Sequence, residues 1–249
     1  MNVNKLRKIR DFGKMLWSIF FFWLYIPHFI CYYLNRRARK DIDEDVKLEQ
    51  ENGYLRFGKT LMLLYLLHSN RFFRTLFYHR IGLFASTLIS WYRPGDREFV
   101  ISKVTKIAGG ALLEHPFSSG LNASYIGHHF RCRQLTTVGK AFGVEDNSRP
   151  IIGNYVTLGA NVTITGGVRI GNGVFAGAGS VIRTDIPPYA MVLGNPAKVI
   201  GFTMTPQEIF EKEKELYPEA ERTPLEVLEK NYDKYFLKRL KDIKDYTRI

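Results

Sequence analysis

A six-residue repeat between Pro150 and Gly201 constrains the fold of this chain more than any other feature. An aliphatic or small residue returns at every sixth position: Ile152, Leu158, Ile164, Ile170, Ala176 and Ile182. This period fits neither the 3.6-residue turn of an α-helix nor the alternation of a plain strand. It is typical of a coil that turns a corner every six residues and stacks on the previous coil, with the aliphatic side chains inside. The repeat therefore predicts a mainly β protein built around a parallel β-helix.

Less regular coils precede this repeat. The inward positions continue backwards, with a one-residue slip, through Val138, Cys132, Ile126, Leu113 and Ile107. From Val138 to Ile152 the spacing is 14 residues instead of 12, which predicts an insertion of two residues. Because residues 139–150 are polar and rich in turn formers, we expect them to leave the coil as a short exposed loop, a common place for binding residues.

The segment 1–40 is basic and aromatic. It holds +8 of the net charge of +12, with nine basic residues against Asp11. The stretch 15–34 contains no Asp, Glu, Lys or Arg and includes nine aromatic residues, of which Trp and Tyr prefer the membrane–water interface. Pro27 and His28 interrupt this run, and the basic flanks on both sides disfavour a full span. We therefore expect residues 1–40 to lie on an anionic membrane surface, with a packed helical arm and a true span as alternatives.

Helical patterns flank the coils on both sides. Residues 41–95 are rich in leucine and aromatic residues, and the acidic run from Asp41 suits the first turn of a helix. Arginines among the aromatic residues of 71–80 are more typical of a core face with a solvated edge than of a nucleic-acid site. Two Thr-Pro pairs predict helices at 206–216 and 224–244 that pack on the β-helix. The chain thus divides into four segments: residues 1–40, 41–95, 96–202 and 203–249.

The overall charge and the cysteines bear on partners and compartment. A net charge of +12 favours an anionic partner, such as a phosphorylated cofactor or anionic lipid, and we expect no nucleic acid. The two cysteines, Cys31 and Cys132, are far apart, which suits a reducing compartment rather than a disulfide framework. We therefore expect a cytoplasmic protein, peripheral on the cytoplasmic face of the membrane.

Residues 99–202 resemble the hexapeptide-repeat acyltransferases. The resemblance rests on the hexads, on the EH…VGK…RP stretch and on GAGSVIRTDIPPYAMVLGNPAKVI at 177–200. Within that family the chain is most similar to serine O-acetyltransferases and to relatives that acetylate sugars. The resemblance implies a left-handed β-helix, a homotrimer with active sites at subunit interfaces, acetyl-CoA in the groove between neighbouring β-helices, and no metal.

The resemblance also implies a general base at His115. The family carries a catalytic Asp-His pair in the hexad after an Ile-Gly-x-Gly hexad. Here the hexad that begins at Ile107 precedes Glu114 and His115, so His115 matches the base and Glu114 replaces the aspartate. A neutral imidazole can take the proton of a hydroxyl as that hydroxyl attacks a thioester. A structural corner residue is the alternative for His115, and for His128 and His129 we expect corner or interface positions.

The chain departs from serine acetyltransferases at positions that bear on the acceptor. Gln134 and Arg149 stand where that branch has histidines, and the aspartate that orients the base falls near Val100. These changes weigh against serine, although Arg149 can still bind a carboxylate or phosphate. Gln134 and Arg149 are therefore candidate acceptor-binding residues. What orients His115 stays open, since neighbouring residues on a strand point to opposite faces and Glu114 is poorly placed.

Candidate cofactor-binding residues follow the family pattern. Small residues would let the pantetheine arm approach the backbone, and cations would bind the CoA phosphates. The small residues are Gly159, Ala160, Gly177, Ala178 and Gly179, and the cations are Lys140, Arg183 and Lys198.

The sequence thus favours an acetyl-CoA-dependent O-acetyltransferase. Transfer would be direct, with His115 as base and a hydroxyl of a saccharide or of serine as acceptor. A catalytically decayed trimeric scaffold on a membrane is one alternative. A zinc hydratase with the same coil is another, but the spacing of His115, His128 and His129 does not resemble its three-histidine site.

Overall fold

The structure, a computed structural model, describes residues 3–53, 56–141, 148–216 and 224–235. Helices come first: α1 (Val3–Phe20), a 3-10 turn (Phe22–Tyr25), α2 (Ile26–Leu34), α3 (Arg36–Asn52), α4 (Lys59–Ser69), α5 (Arg71–Ile81) and α6 (Leu83–Ser90). Short strands follow: β1 (Phe99–Ile101), β2 (Lys106–Ile107), β3 (Leu112–Leu113), β4 (Ser119–Leu121), β5 (Tyr125–Ile126), β6 (Arg131–Cys132), β7 (Thr137–Gly139), β8 (Ile151–Ile152), β9 (Thr157–Leu158), β10 (Thr163–Thr165), β11 (Arg169–Ile170), β12 (Phe175–Ala176), β13 (Val181–Ile182), β14 (Ala190–Leu193) and β15 (Lys198–Phe202). Two helices end the described chain: α7 (Pro206–Leu216) and α8 (Leu225–Tyr235).

The strands form three sheets, which are the three faces of a parallel β-helix. Face 1 is β1-β4-β7-β10-β13, face 2 is β2-β5-β8-β11, and face 3 is β3-β6-β9-β12-β14-β15. In the regular part, strand partners such as Ile152 and Ile170 are separated by three hexads, which make one coil. The fold class expected from the repeat is confirmed.

The core of the β-helix is the inward column that the repeat predicts. The six hexad residues from Ile152 to Ile182 are at most 3 % exposed. Full burial of an aliphatic side chain contributes about 1.5–3 kcal/mol, so this column is a large share of the favourable free energy of folding. Stacked corners leave little room for side chains: a Cβ at Gly127 would lie 2.6 Å from the carbonyl carbon of Gly153. This close approach explains the glycine at that corner.

The loop after β7 is larger than the sequence spacing indicated. Val138 on face 1 pairs with Ile164, and Ile126 on face 2 pairs with Ile152, so partners here are separated by more than four hexads instead of three. Val138 and Ile152 therefore lie on adjacent faces. A regular coil connects adjacent faces with one hexad of six residues, so the spacing of 14 contains eight additional residues. The expected insertion of two was wrong, because spacing alone does not show whether a face is skipped. Residues 142–147 of this loop lie outside the described residues.

Helix α3 begins at Arg36, and the expected start at Asp41 was wrong. The Asn35 side chain accepts a hydrogen bond from the Ala38 N–H at 3.0 Å and so caps the helix. The acidic run therefore lies within the helix, where Asp45 points into the protein.

A buried ion pair joins the helices to the first coil. Arg80 of α5 donates from Nε and Nη2 to the two carboxylate oxygens of Asp45, at 2.8 and 2.9 Å. The same carboxylate accepts the N–H of Ala111 at 2.8 Å, and Arg80 Nη2 also donates to the carbonyl of Ala108 at 2.8 Å. Ala108 and Ala111 lie between β2 and β3. We call these contacts the Asp45–Arg80 clasp, because they tie α3 and α5 to one turn of the β-helix.

Both ends of the β-helix are covered by helices. At the first coil, Phe72 and Leu76 of α5 pack in the same core cluster as Phe99. This packing confirms that the segment 71–80 contributes a core face. At the last coil, the ring of Tyr232 in α8 lies 5.4 Å from that of Phe202. The expected helix at 206–216 is confirmed, while residues 236–244 of the second predicted helix lie outside the described residues.

The aromatic run near the amino terminus bends sharply. Among the described residues no single helix is long and apolar enough to cross a membrane, but the pair Lys8–Phe20 and Phe22–Leu34, bent by 76°, meets the length and composition for a broken span. The bend precedes Pro27, which occupies the first turn of α2, where proline is tolerated. His28 is buried there, with Nε2 2.9 Å from the hydroxyl of Tyr78.

Candidate functional site

The corner between β3 and β4 carries Glu114 and His115 and is longer than a regular corner. Inward-facing Leu113 and Leu121 are eight positions apart, two more than in a regular hexad. His115 and Ser118 have φ of 52° and 48°, and corner residues of other coils, such as Leu135 and Asn161, have similar values of 60° and 57°. Positive φ is uncommon for residues other than glycine, but it recurs at the corners of this β-helix and does not by itself mark this corner. The corner exposes the side chain of His115.

The imidazole of His115 is held by ring packing. It stacks on Phe117 with a centroid distance of 6.0 Å and an interplanar angle of 6°. Phe117 in turn meets the edge of Phe72 at 5.2 Å, and the guanidinium of Arg71 lies 5.9 Å from the Phe117 ring. Within the described ranges no hydrogen bond involves either imidazole nitrogen. Both nitrogens can therefore accept from or donate to a bound molecule.

Glu114 is directed along the β-helix rather than towards His115. Its Oε2 accepts a hydrogen bond from Arg133 Nε at 2.9 Å, in the next coil. The pair is partly exposed, so its contribution to stability is small. The Glu114 carboxylate is thus bound to Arg133, and the imidazole of His115 has no carboxylate partner in the described structure.

His115 faces a cavity of about 620 Å³ between the helices and the first coil. Leu112, Leu113, Glu114 and His115 supply one wall. The opposite wall comes from α1, α3, α4, α5 and the segments next to them, through Arg10, Asp11, Lys14, Glu49, Asn52, Gly53, Met62, Tyr65, Leu66, Ser69, Asn70, Arg71 and Phe72. The sequence did not indicate this contribution of the amino-terminal helices to the site. The sequence feature that could have indicated it is the four-residue spacing of Arg10 and Lys14, which places both cations on one face of a helix.

The cavity contains a carboxyl group with a shifted pKa. Burial raises the pKa of Glu49 to about 7, and the nearby carboxylates of Asp45 and Glu114 add to the shift. Burial also raises the pKa of Tyr65, with a smaller contribution from Asp11. The raised pKa favours the protonated carboxyl of Glu49, which can donate a hydrogen bond to a polar ligand as well as accept one.

Most candidate residues of the site lie along one edge of the β-helix, where face 3 turns into face 1. Backbone hydrogen bonds of 2.8–2.9 Å link the stacked corners: Leu135 N–H to Phe117 O, Asn161 N–H to Gln134 O, and Gly179 N–H to Ala160 O. The edge therefore holds, in successive coils, Glu114 and His115, then Gln134, then Gly159 and Ala160, then Gly177, Ala178 and Gly179. Small residues thus follow His115 along the edge. A Cβ at Gly179 would meet no atom within 4 Å, whereas one at Gly159 would lie 2.8 Å from the backbone nitrogen of Ala178 in the next coil.

The candidate cations lie elsewhere. Lys140, Arg149 and Arg183 lie at the edge where face 1 turns into face 2, and Lys198 begins β15 on face 3. Arg149 is fixed there, since its Nε donates to Asn122 Oδ1 at 2.8 Å. Arg149 and Gln134 therefore border face 1 from its two sides, and the structure does not place them at one corner of a single chain.

His128 and His129 occupy a third edge, between face 2 and face 3. His128 Nδ1 lies 2.9 Å from Glu44 Oε2 of α3, and His129 stacks on Tyr155 at 4.6 Å. Both are corner residues, as expected. Across the described ranges no group of three or more His, Cys, Asp or Glu side chains is placed to hold a metal ion.

The fold and this corner define a class of protein, a β-helix of hexapeptide repeats with an exposed histidine. Residues 149–184 match the family model described as "Bacterial transferase hexapeptide (six repeats)". The chain is 35 % identical over 122 residues to the "Putative colanic acid biosynthesis acetyltransferase WcaB" of Escherichia coli (strain K12), covering 47 % of this chain and 75 % of that protein. The chain therefore belongs to the hexapeptide-repeat acyltransferase family.

Serine acetyltransferases share only part of their length with the chain. "Serine acetyltransferase 4" of Arabidopsis thaliana is 37 % identical over 103 residues, which are 41 % of this chain and 29 % of that protein. The chain thus matches less than a third of that relative. A crystal structure of the serine acetyltransferase of Brucella abortus strain S19 with coenzyme A superposes with a TM-score of 0.57 at 20 % identity, over 70 % of this chain and 72 % of that one. At this identity the superposition shows the shared fold.

Proposed function

We propose that the protein is an acetyl-CoA-dependent O-acetyltransferase with His115 as general base. The observation that carries the proposal is the position of His115, which is exposed at a corner, has neither imidazole nitrogen hydrogen-bonded in the described structure, and faces a cavity of about 620 Å³. The small-residue corners on the same edge would hold the thioester of acetyl-CoA close to the backbone. The named activity of the relatives and the coenzyme A bound to the Brucella enzyme support this choice of cofactor.

The transfer needs one proton acceptor at this corner. The neutral imidazole takes the proton of an acceptor hydroxyl while the hydroxyl oxygen attacks the thioester carbonyl. The tetrahedral intermediate then expels CoA as its thiolate, which receives the proton back from the imidazolium. The products are the O-acetyl ester and CoA, and no bond to the protein forms. A general base of this kind contributes about 10²–10⁴ in rate.

A saccharide hydroxyl is the acceptor that we favour. The relative of which this chain covers three quarters is named for colanic acid biosynthesis. The cavity supplies polar groups of both signs, with Arg10, Lys14 and Arg71 as cations and Glu49 and Glu114 as acids, which suits a polar ligand with several hydroxyls. Serine is the second candidate, supported by the plant relative. Lys140, Arg149, Arg183 and Lys198, on other parts of the β-helix, would act across the subunit interfaces of a homotrimer.

The test is release of CoA thiol from acetyl-CoA with a panel of sugars and serine as acceptors. We expect His115→Ala to lower kcat by about 10²–10⁴. The matched control is His129→Ala, another corner histidine with positive φ, which should keep near wild-type activity. Full activity of His115→Ala would refute the role of the base. A chain that neither binds CoA nor releases thiol would instead favour the scaffold alternative.

A further inference from the structure

Helix α1 has an unusual distribution of side chains. Asp11, Met15 and Ser18 face the protein and are buried. The solvent side of a surface helix is normally polar. On α1 it is largely apolar, and its exposed large side chains are Leu6, Ile9, Phe12, Leu16, Trp17, Ile19 and Phe20. This face is apolar although no described part of the chain covers it.

Apolar side chains are also exposed on the elements that follow α1 and on α6. The 3-10 turn and α2 expose Phe22, Trp23, Ile26, Ile30, Tyr33 and Leu34, and α6 with the residue after it exposes Leu83, Phe84, Leu88 and Trp91. Leu34, Phe84 and Trp91 are at least 80 % exposed. The hydroxyl of Tyr92, next to α6, donates to the carbonyl of Leu24 at 2.9 Å and holds the two parts together. We call these exposed apolar residues of α1, the 3-10 turn, α2 and α6 the apolar surface.

Basic residues border the apolar surface. Lys8, Arg10 and Lys14 are exposed on α1, and Arg36, Arg37 and Lys40 are exposed just after α2. The acidic residue of this segment, Asp11, is buried and bound to Arg10 at 2.9 Å. An apolar face with tryptophans and a basic border is the pattern of segments that lie in the headgroup region of anionic bilayers.

We propose that the apolar surface docks the protein on an anionic lipid bilayer, with α1 and α2 in the plane of the interface. The charge decides between lipid and a second copy of the chain. A symmetric pair of apolar surfaces would bring two basic borders together, and like charges across an interface are unfavourable. An anionic lipid surface instead attracts each basic residue by about 1 kcal/mol. The docking does not depend on the proposed acetyl transfer.

The test is co-sedimentation of the full chain with phosphatidylcholine vesicles, with and without phosphatidylglycerol. The variant is Phe20→Glu/Trp23→Glu, which changes two exposed side chains of the apolar surface. The control is Val104→Glu, which introduces an acid at another exposed apolar position, in the first coil and outside the apolar surface. Thermal unfolding of all three proteins checks that the substitutions leave the fold intact.

We expect the wild type and Val104→Glu to bind the anionic vesicles and to bind the neutral ones more weakly. For Phe20→Glu/Trp23→Glu we expect the affinity for the anionic vesicles to fall by a factor of about ten or more, because two apolar side chains that would enter the bilayer are lost. Wild-type binding by that variant would overturn the proposal. The proposal would also be overturned if the wild type bound neither kind of vesicle but formed a dimer that the variant does not form, since a second copy of the chain would then be the partner.

Discussion

Removal of the Asp45 carboxylate should be among the most damaging single substitutions in the helices. The side chains of Asp45 and Arg80 are 1 % and 2 % exposed, so water cannot replace the lost partner. Asp45→Ala leaves the guanidinium of Arg80 with fewer acceptors and the N–H of Ala111 without its acceptor. Loss of one partner of a buried pair costs about 3–5 kcal/mol, a large part of a total stability of about 5–15 kcal/mol.

The assay is urea unfolding followed by far-ultraviolet circular dichroism, on a double-mutant cycle. We expect Asp45→Ala and Arg80→Met each to lower the free energy of unfolding by about 3–5 kcal/mol. The double variant should lose less than the sum, because it leaves no unpaired buried charge. The control on the same helix is Lys47→Ala, which removes an exposed ion pair to Glu51 and should cost about 0.5 kcal/mol or less.

Two results would refute this reasoning. One is a cost for Asp45→Ala that does not exceed the cost of Lys47→Ala. The other is strict additivity in the double variant, which would show that the two side chains do not depend on each other. Either result would mean that the clasp does not hold α3 and α5 on the first coil.

Two further predictions concern titratable groups. Because the pKa of Glu49 is raised to about 7 from 4.5, its protonated form stabilises the fold most below pH 4.5, and this contribution is lost as the pH rises through about 7. Glu49→Gln should flatten that part of the pH dependence of the unfolding free energy, and an unchanged profile would contradict the shift. Burial raises the pKa of Cys132 to about 12, so thiol reagents at pH 8 should leave Cys132 unmodified until urea is added. Mass spectrometry of the labelled peptides separates it from Cys31, and rapid native labelling of Cys132 would count against its burial.

The regular coils could be predicted from the sequence because their constraint is local. Each hexad needs an inward aliphatic residue, and the interval between Ile152 and Ile182 repeats without interruption. The same interval gives no information on which face a strand joins after an insertion. The pairing of Val138 with Ile164 joins two different coils, and sequence spacing does not show such a contact. The eight additional residues of the loop could therefore be counted only in the structure.

The site could be predicted only in part. A motif match predicted His115 as the general base, and the structure exposes its side chain at a corner. The cavity in front of it depends on how α1, α3, α4 and α5 pack on the first coil, and such packing leaves no periodic signal in the sequence. The start of α3 was missed for a similar reason: Asn35 caps the helix through one hydrogen bond, while the acidic run at Asp41 resembled a first turn.

The stacking of corners makes the β-helix a molecular ruler. Strands of neighbouring coils lie about 4.8 Å apart, so the three steps from the corner of His115 to that of Gly177 amount to about 14 Å. Partners in the regular coils are three hexads apart, so removal of the segment 151–168 would take out one complete coil and keep the register. The corner of Gly177 would then move about 4.8 Å closer to His115. Insertion or deletion of whole coils is therefore a way to change the reach of such a site in fixed increments while the corners themselves stay the same.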